Sequence, residues 1–223
     1  MTGLIELVES TVDEFESTLD GLLRELARLH PSFIERLGPP ASSEDFSRAE
    51  GLTGTRFPEQ IRRLYTRHNG QRDNLGNGVF FGADLLRLDQ IAEEYRALLE
   101  LRDSGIVQSP SPADPRLSED FPGAGHIPFL ADGSGNYVGF DVRPGPSGTF
   151  GQILVFGADL PEAEVVFPSL SEMLAAVLNQ LRSGNFILRE DLRMSRHPWL
   201  EFVSGDFSPL ARVLYTQTRP GGG

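Results

Sequence analysis

A row of short apolar segments, separated by turn residues, constrains the fold of this chain more than any other feature. The segments are Ile127–Ala131, Tyr137–Val142, Thr149–Phe156 and Val165–Phe167. Asp132-Gly133-Ser134-Gly135-Asn136 separates the first two, and these residue types favour tight turns. Strands joined by such short turns pair with their neighbours in antiparallel order. The pattern therefore predicts a mostly antiparallel sheet as the centre of the fold.

The first thirty residues predict one long amphipathic helix. Its apolar residues alternate in spacings of four and three over three heptads: Val8, Val12, Phe15, Leu19, Leu22, Leu26 and Leu29. Pro31 ends the helix, because the residue before a proline is pushed out of helical geometry. Such a row packs either on the helix's own domain or on a second copy of the chain in a homodimer. The spacing alone leaves both open.

Four further helices are predicted, which makes the fold class α+β. A short helix covers Glu44–Glu50, and Pro58 opens another in which Ile61, Leu64 and Tyr65 point inward and Asn69-Gly70 forms the end. Asp89 caps a helix carrying Ile91 and Tyr95, and a Ser169/Glu172 capping box opens the last one, which reaches Leu181. Strands are expected at Val79–Phe81 and at Leu85–Leu88. Residues 104–125 are expected to form a long loop.

We expect three segments along the chain. Residues 1–37 form the N-terminal amphipathic helix, residues 45–182 the α+β core, and residues 183–223 a C-terminal extension with a flexible Gly-rich tail. Within the extension, Phe186–Leu188 and Trp199–Phe202 are apolar enough to pack back on the core.

The composition and motifs exclude most kinds of catalytic chemistry. The chain has no cysteine, so thiolate nucleophiles, disulfides and Cys-based zinc sites are absent. The four histidines are far apart in sequence, and no metal site is predicted. No phosphate-binding loop is present, and Ser134 lies between two strands rather than on a nucleophile elbow. No catalytic residue and no cofactor is therefore predicted, although a pair of carboxylates acting as a hydrolase stays open.

The formal net charge of −12 disfavours nucleic acid and anionic membrane surfaces as partners. Such a surface either keeps the chain soluble or docks a basic partner. A local basic run opposes this charge, and we interpret it as a solvated helix face; it consists of Arg56, Arg62, Arg63, Arg67, His68 and Arg72. The N-terminus does not have the pattern of a secretory signal. Because no apolar run approaches the roughly 20 residues of a membrane helix, a cytoplasmic location is expected.

Two separate motifs are recognisable in the chain. The first is Phe57-Pro58 followed by a helix that runs through Tyr65 to Asn69-Gly70. The second is Pro128-Phe129-Leu130-Ala131-Asp132-Gly133-Ser134-Gly135-Asn136. Together they resemble the SUKH superfamily, which contains bacterial immunity proteins and yeast cell-wall regulators; Phe57 stands where leucine is usual in that family. The resemblance covers roughly residues 45–182.

This resemblance implies a curved, mostly antiparallel sheet flanked by helices, and a non-catalytic, protein-binding role. The expected function is that of an immunity-type protein neutralising a basic toxin through an acidic surface. The alternative is a scaffold or regulator of cell-wall or envelope synthesis. Candidate binding residues are those of the two motifs: Pro58, Tyr65, Asn69, Gly70, Asp132, Gly133, Gly135 and Asn136. Their residue types are equally suited to shaping the fold.

Overall fold

The structure, a computed structural model, describes residues 2–73, 78–104, 114–118, 123–158, 160, 163–190 and 197–203, without the side chains of residues 2–13 and 202. Its helices are α1 Thr2–Leu29, α2 Ser32–Glu35, α3 Ser43–Thr53, α4 Glu59–Arg67, α5 Leu88–Asp103 and α6 Leu170–Arg182. Its strands are β1 Asp84–Leu85, β2 His126–Ala131, β3 Asn136–Asp141, β4 Ile153–Gly157, β5 Glu164–Phe167, β6 Phe186–Arg189 and β7 Trp199–Phe202. The predicted α+β class is confirmed.

The main sheet has five strands in the order β1-β2-β3-β4-β5, and every neighbouring pair is antiparallel. The predicted succession of antiparallel strands is therefore confirmed. Most strand boundaries differ from the prediction by one residue, whereas β4 begins four residues later, because Thr149–Gln152 belong to the turn before it. The two strands β6 and β7 form a separate hairpin. Leu200 on β7 is buried in the hydrophobic core, so this part of the C-terminal extension does pack back on the core.

The α1 helix packs on its own domain, against α6. Phe15, Leu19, Leu22 and Leu26 are almost completely buried in the hydrophobic core, and Leu29 packs against its edge. A Cβ atom on Gly21 would meet Leu178 of α6 at 3.0 Å. These four side chains are therefore not available to a second copy, and the predicted dimer interface is corrected for them. The side chains of Val8 and Val12 lie outside the described residues.

The segment before α5 differs from its prediction. Residues 78–83 form a tight turn in place of the predicted strand Val79–Phe81, because Phe81 and Gly82 have positive φ angles of 52° and 88°. Two such residues in succession cannot continue a strand. The following strand, β1, is only two residues long. Leu88 already begins α5, and Arg87 is its N-cap, so Asp89 lies in the first turn instead of capping the helix.

Candidate functional site

Tyr65, the last apolar residue on the inner face of α4, is completely buried. Its hydroxyl group donates a hydrogen bond to the carbonyl oxygen of Leu86 at 2.7 Å. Burial raises the pKa of this hydroxyl well above its ordinary value, because the charged form would lose its hydration. Tyr65 therefore acts as a neutral donor that ties α4 to the chain segment entering α5.

Asn69 and Gly70 hold the same segment. The side-chain oxygen of Asn69 accepts a hydrogen bond from the backbone N–H of Leu88 at 3.0 Å and so caps the N-terminus of α5. Gly70 has a φ of 69°, and a Cβ atom there would lie 2.5 Å from the backbone nitrogen of Arg87. Only glycine allows the two backbones to approach so closely.

Gln71 completes this group, which we call the clasp: Tyr65, Asn69, Gly70 and Gln71. Gln71 has no exposed surface. Its side-chain oxygen accepts from the N–H groups of Val79 and Leu85, and its amide nitrogen donates to a carboxylate oxygen of Asp84 at 2.9 Å. Sequence reasoning missed this residue, and its position directly after Asn69-Gly70 was the only available signal.

The second motif forms the turn between β2 and β3. One carboxylate oxygen of Asp132 accepts from the backbone N–H groups of Ser134 and Asn136 at 2.7 and 3.0 Å. The other accepts from the Ser134 hydroxyl and the Asn136 amide, both at 2.7 Å. Gly133 and Gly135 have positive φ angles of 76° and 98°. The turn is thus closed around the carboxylate of Asp132, which helps to fix the register of the two strands.

The structure brings Tyr65, Asn69 and Gly70 together but places the other motif residues elsewhere. Strand β1 connects the clasp to the Asp132 turn, since Asp84 pairs with Ala131, the residue before Asp132. Pro58 is buried directly before α4, and a Cβ atom on Gly151 would meet it at 3.2 Å. The motif residues therefore form three separate structural contacts rather than one concave site.

The arginines of α4 are paired with carboxylates of the same chain. Arg67 contacts Glu16 at 3.0 Å and Asp20 at 2.6 Å, and Arg63 contacts Glu16 at 3.5 Å. The hydrogen bond that Arg67 donates to the Asp20 carboxylate raises the pKa of Arg67. These ion pairs join α1 to α4 and remain partly exposed, at 30% for the Arg63 side chain and 38% for that of Arg67. The interpretation of a solvated helix face is therefore kept, and the structure adds that its positive charge is balanced by carboxylates of α1.

A second polar cluster is buried at the other end of β3. The Asp141 carboxylate accepts from the backbone N–H of Arg143 at 2.8 Å and from the Gln152 amide at 2.9 Å. His126 lies 3.8 Å from it, and the other ring nitrogen of His126 accepts from the N–H of Gly123. Burial raises the pKa of Asp141. Every one of these hydrogen-bond partners belongs to the loops that close this end of the sheet.

Two kinds of feature are absent from the described residues. Among them, no group of three or more His, Asp or Glu side chains is arranged to hold a metal ion. No described helix combines the length and apolar character required to cross a membrane.

Comparison with known families identifies the class of protein to which this chain belongs. The model of the SMI1 / KNR4 family (SUKH-1) matches residues 40–176, more than half of the chain. The chain belongs to this family. The match includes both α4 with the clasp and the Asp132 turn.

Three curated fungal relatives show what such chains resemble. The cell wall assembly regulator SMI1 of Saccharomyces cerevisiae is 25% identical over 81% of this chain and 45% of its own length. The cell wall biosynthesis/cell cycle regulator smi1 of Schizosaccharomyces pombe is 30% identical over 60% of this chain and 30% of its own length. The glucan synthesis regulatory protein of Neurospora crassa is 26% identical over 73% and 37%. The chain spans less than half the length of these relatives.

Proposed function

We propose that this chain is a non-catalytic protein-binding domain that takes part in regulating cell-wall assembly. The assignment to cell-wall assembly is supported by the relatives, which are named as regulators of the cell wall or of glucan synthesis. The geometry supports the non-catalytic role: the polar groups of the motif residues are used to hold the chain's own backbone.

The hydrogen bonds of the two motifs carry this proposal. The hydroxyl of Tyr65, the side-chain oxygen of Asn69 and both carboxylate oxygens of Asp132 are bonded to neighbouring parts of the chain. A catalytic acid, base or nucleophile must instead direct a polar atom at a substrate. The buried carboxylates Asp84 and Asp141 likewise receive amide hydrogen bonds from Gln71 and Gln152. A hydrolase built on two carboxylates is thus a poor fit.

Neutralisation of a basic toxin is a second candidate, and the net charge of −12 is the observation that favours it. An acidic surface that occupies a basic cleft would act mainly by electrostatic complementarity. Such a complex should weaken steeply as salt is raised.

The two candidates are separated by affinity capture of the full chain's partners from its own cells at low and high salt. Regulation of wall assembly predicts capture of wall-synthesis or signalling proteins, together with altered sensitivity to wall-targeting compounds when the gene is deleted. Capture of one small basic protein that is lost at high salt would favour toxin neutralisation. An unchanged wall phenotype together with that capture would overturn the regulatory proposal.

A further inference from the structure

Phe150 is exposed in the turn that joins β3 to β4, with 56% of its surface accessible. A single exposed apolar side chain is common on protein surfaces and needs no functional explanation by itself. Phe150, however, lies on a backbone fixed by hydrogen bonds, at the same end of the sheet as the exposed arginines Arg143 and Arg56.

The backbone on both sides of Phe150 is held by hydrogen bonds. The N–H of Gly151 donates to the carbonyl of Asp141 at 2.7 Å, and the N–H of Gln152 donates to the carbonyl of Thr149 at 3.0 Å. The buried side chain of Gln152 accepts from the N–H of Thr149 and donates to the carbonyl of Arg116. An aromatic residue presented on such a fixed turn loses little conformational freedom when a partner covers it.

Two exposed arginines lie at the same end of the sheet. Arg143 follows Asp141, whose carbonyl oxygen is bonded to Gly151. Arg56 precedes Phe57-Pro58, and Pro58 packs against Gly151. Within the described part of the chain, neither arginine has a carboxylate within 4.0 Å. By contrast, the nearby Arg116 is neutralised by Asp114 at 2.6 Å.

This local charge is opposite to that of the whole chain. At physiological ionic strength, charges on the surface are screened beyond roughly 8 Å, so a partner in contact with Phe150 responds to the charges around this turn, Arg56 and Arg143 among them, rather than to the net charge of the chain. An aromatic anchor beside arginines is the combination that most often contributes binding energy in protein interfaces. Its complement is an apolar side chain flanked by carboxylates.

We propose that Phe150, Arg143 and Arg56 form a docking surface for an acidic polypeptide segment that carries an apolar side chain. The proposal rests on the protein-binding function proposed above and assigns a place and a partner chemistry to it.

The test is selection of random twelve-residue peptides displayed on phage against the full chain, followed by fluorescence anisotropy of the selected peptides. We expect the enriched peptides to combine Asp or Glu with an apolar residue. Phe150→Ala should weaken their binding at least about tenfold, and Arg143→Gln and Arg56→Gln should weaken it several-fold and reduce its salt dependence.

Matched control variants change the same residue types elsewhere on the surface. Leu52→Ala removes another exposed apolar side chain, and Arg96→Gln removes an exposed arginine of α5 that has no ion pair among the described residues. Both should bind the peptides like the unaltered chain, and circular dichroism should show that all variants are folded.

Three outcomes would overturn the assignment of this surface: no enrichment, enrichment of basic peptides, or peptides that bind Phe150→Ala as tightly as the unaltered chain. In the last case peptide binding itself would survive, so protein binding would stand while its location at Phe150 would be wrong. Failure of the wall-assembly proposal is detected separately, by the identity of the captured cellular partners.

Discussion

The hydroxyl of Tyr65 and the carbonyl oxygen of Leu86 are joined by a buried 2.7 Å hydrogen bond across 21 residues of sequence. Leu86 is also bonded to β2, because its N–H donates to the carbonyl of Phe129 at 3.0 Å. The single bond from Tyr65 therefore links helix α4 to the edge of the sheet and to the start of α5.

Replacing Tyr65 by phenylalanine should lower the free energy of unfolding by about 1–2 kcal/mol, because the buried carbonyl of Leu86 loses its side-chain donor while the ring packing is kept. Denaturant unfolding measures this change. The control is Thr66→Ala, which removes an exposed hydroxyl from the next residue and should change stability by less than about 0.5 kcal/mol. Equal effects of the two substitutions would contradict the role assigned to Tyr65.

Asn69 should act through its side-chain oxygen as the cap of α5. Asn69→Ala removes the acceptor of the Leu88 N–H and should cost about 1 kcal/mol in unfolding free energy. Asn69→Asp keeps an oxygen acceptor and adds negative charge at a helix N-terminus, so most of the stability should be retained. If both variants are equally destabilised, capping is not the function of Asn69.

Comparing Gly70→Ala with Gly133→Ala distinguishes the energetic effect of a positive φ angle from that of backbone crowding. Both have similar positive φ angles, 69° and 76°. An added Cβ would lie 2.5 Å from Arg87 N at Gly70, whereas nothing lies within 4 Å at Gly133. Gly133→Ala should therefore cost only about 1–2 kcal/mol, from the left-handed conformation. Gly70→Ala should lower the free energy of unfolding by clearly more, because its Cβ would also collide with the Arg87 backbone. Thermal unfolding of both variants measures the difference, and equal losses would contradict a role for backbone crowding at Gly70.

Asp141 and Asp114 should make contributions of opposite sign to the pH dependence of folding stability. Burial raises the pKa of Asp141, so from the ordinary carboxyl pKa near 4 upward, the unfolded chain releases this proton more readily than the folded chain. Asp141 therefore reduces stability as pH rises through that window. The Arg116 side chain lowers the pKa of Asp114, so Asp114 contributes stability above the ordinary carboxyl pKa, which is lost as pH falls.

Urea unfolding of Asp141→Asn and Asp114→Asn between pH 3 and pH 8 tests these signs. Relative to the unaltered chain, Asp141→Asn should gain stability as pH rises, and Asp114→Asn should lose it. His126 lies 3.8 Å from Asp141, so the series is repeated in a His126→Gln background to isolate the carboxyl group. Parallel pH profiles of all proteins would show that neither shift contributes to folding.

Local sequence patterns were sufficient to predict much of the fold. The turn residues between the apolar runs predicted β2 to β5, and the Ser169/Glu172 capping box predicted the start of α6, where the Ser169 side chain accepts from the N–H of Glu172. Both features are short-range. The heptad spacing of α1 could not decide between self-packing and dimerisation, because the same apolar face is buried in either case.

Features that depend on distant contacts could not be predicted. Val79–Phe81 has high strand propensity, but the segment turns at Phe81 and Gly82, and its Val79 N–H donates to the distant Gln71 side chain of the clasp. No local pattern marks Gln71 as buried. The first motif predicts that Tyr65, Asn69 and Gly70 shape the fold, but it does not indicate which distant segment they hold, namely the chain entering α5. The sequence places Phe150 near the start of the strand predicted at Thr149–Phe156 and does not indicate its exposure in a turn.

The family match ends well inside the hydrophobic core. Residues 40–176 identify the family, yet Phe15, Leu19 and Leu22 on one side and Leu200 on the other belong to the same core cluster as α4 and α6. Removing residues 1–31 would uncover the apolar face of α6. If the shortened chain no longer bound a protein partner, the cause would then be its unfolding rather than the loss of a binding contact in residues 1–31. We therefore expect the smallest piece of this chain able to fold to be larger than the piece by which its relatives are recognised.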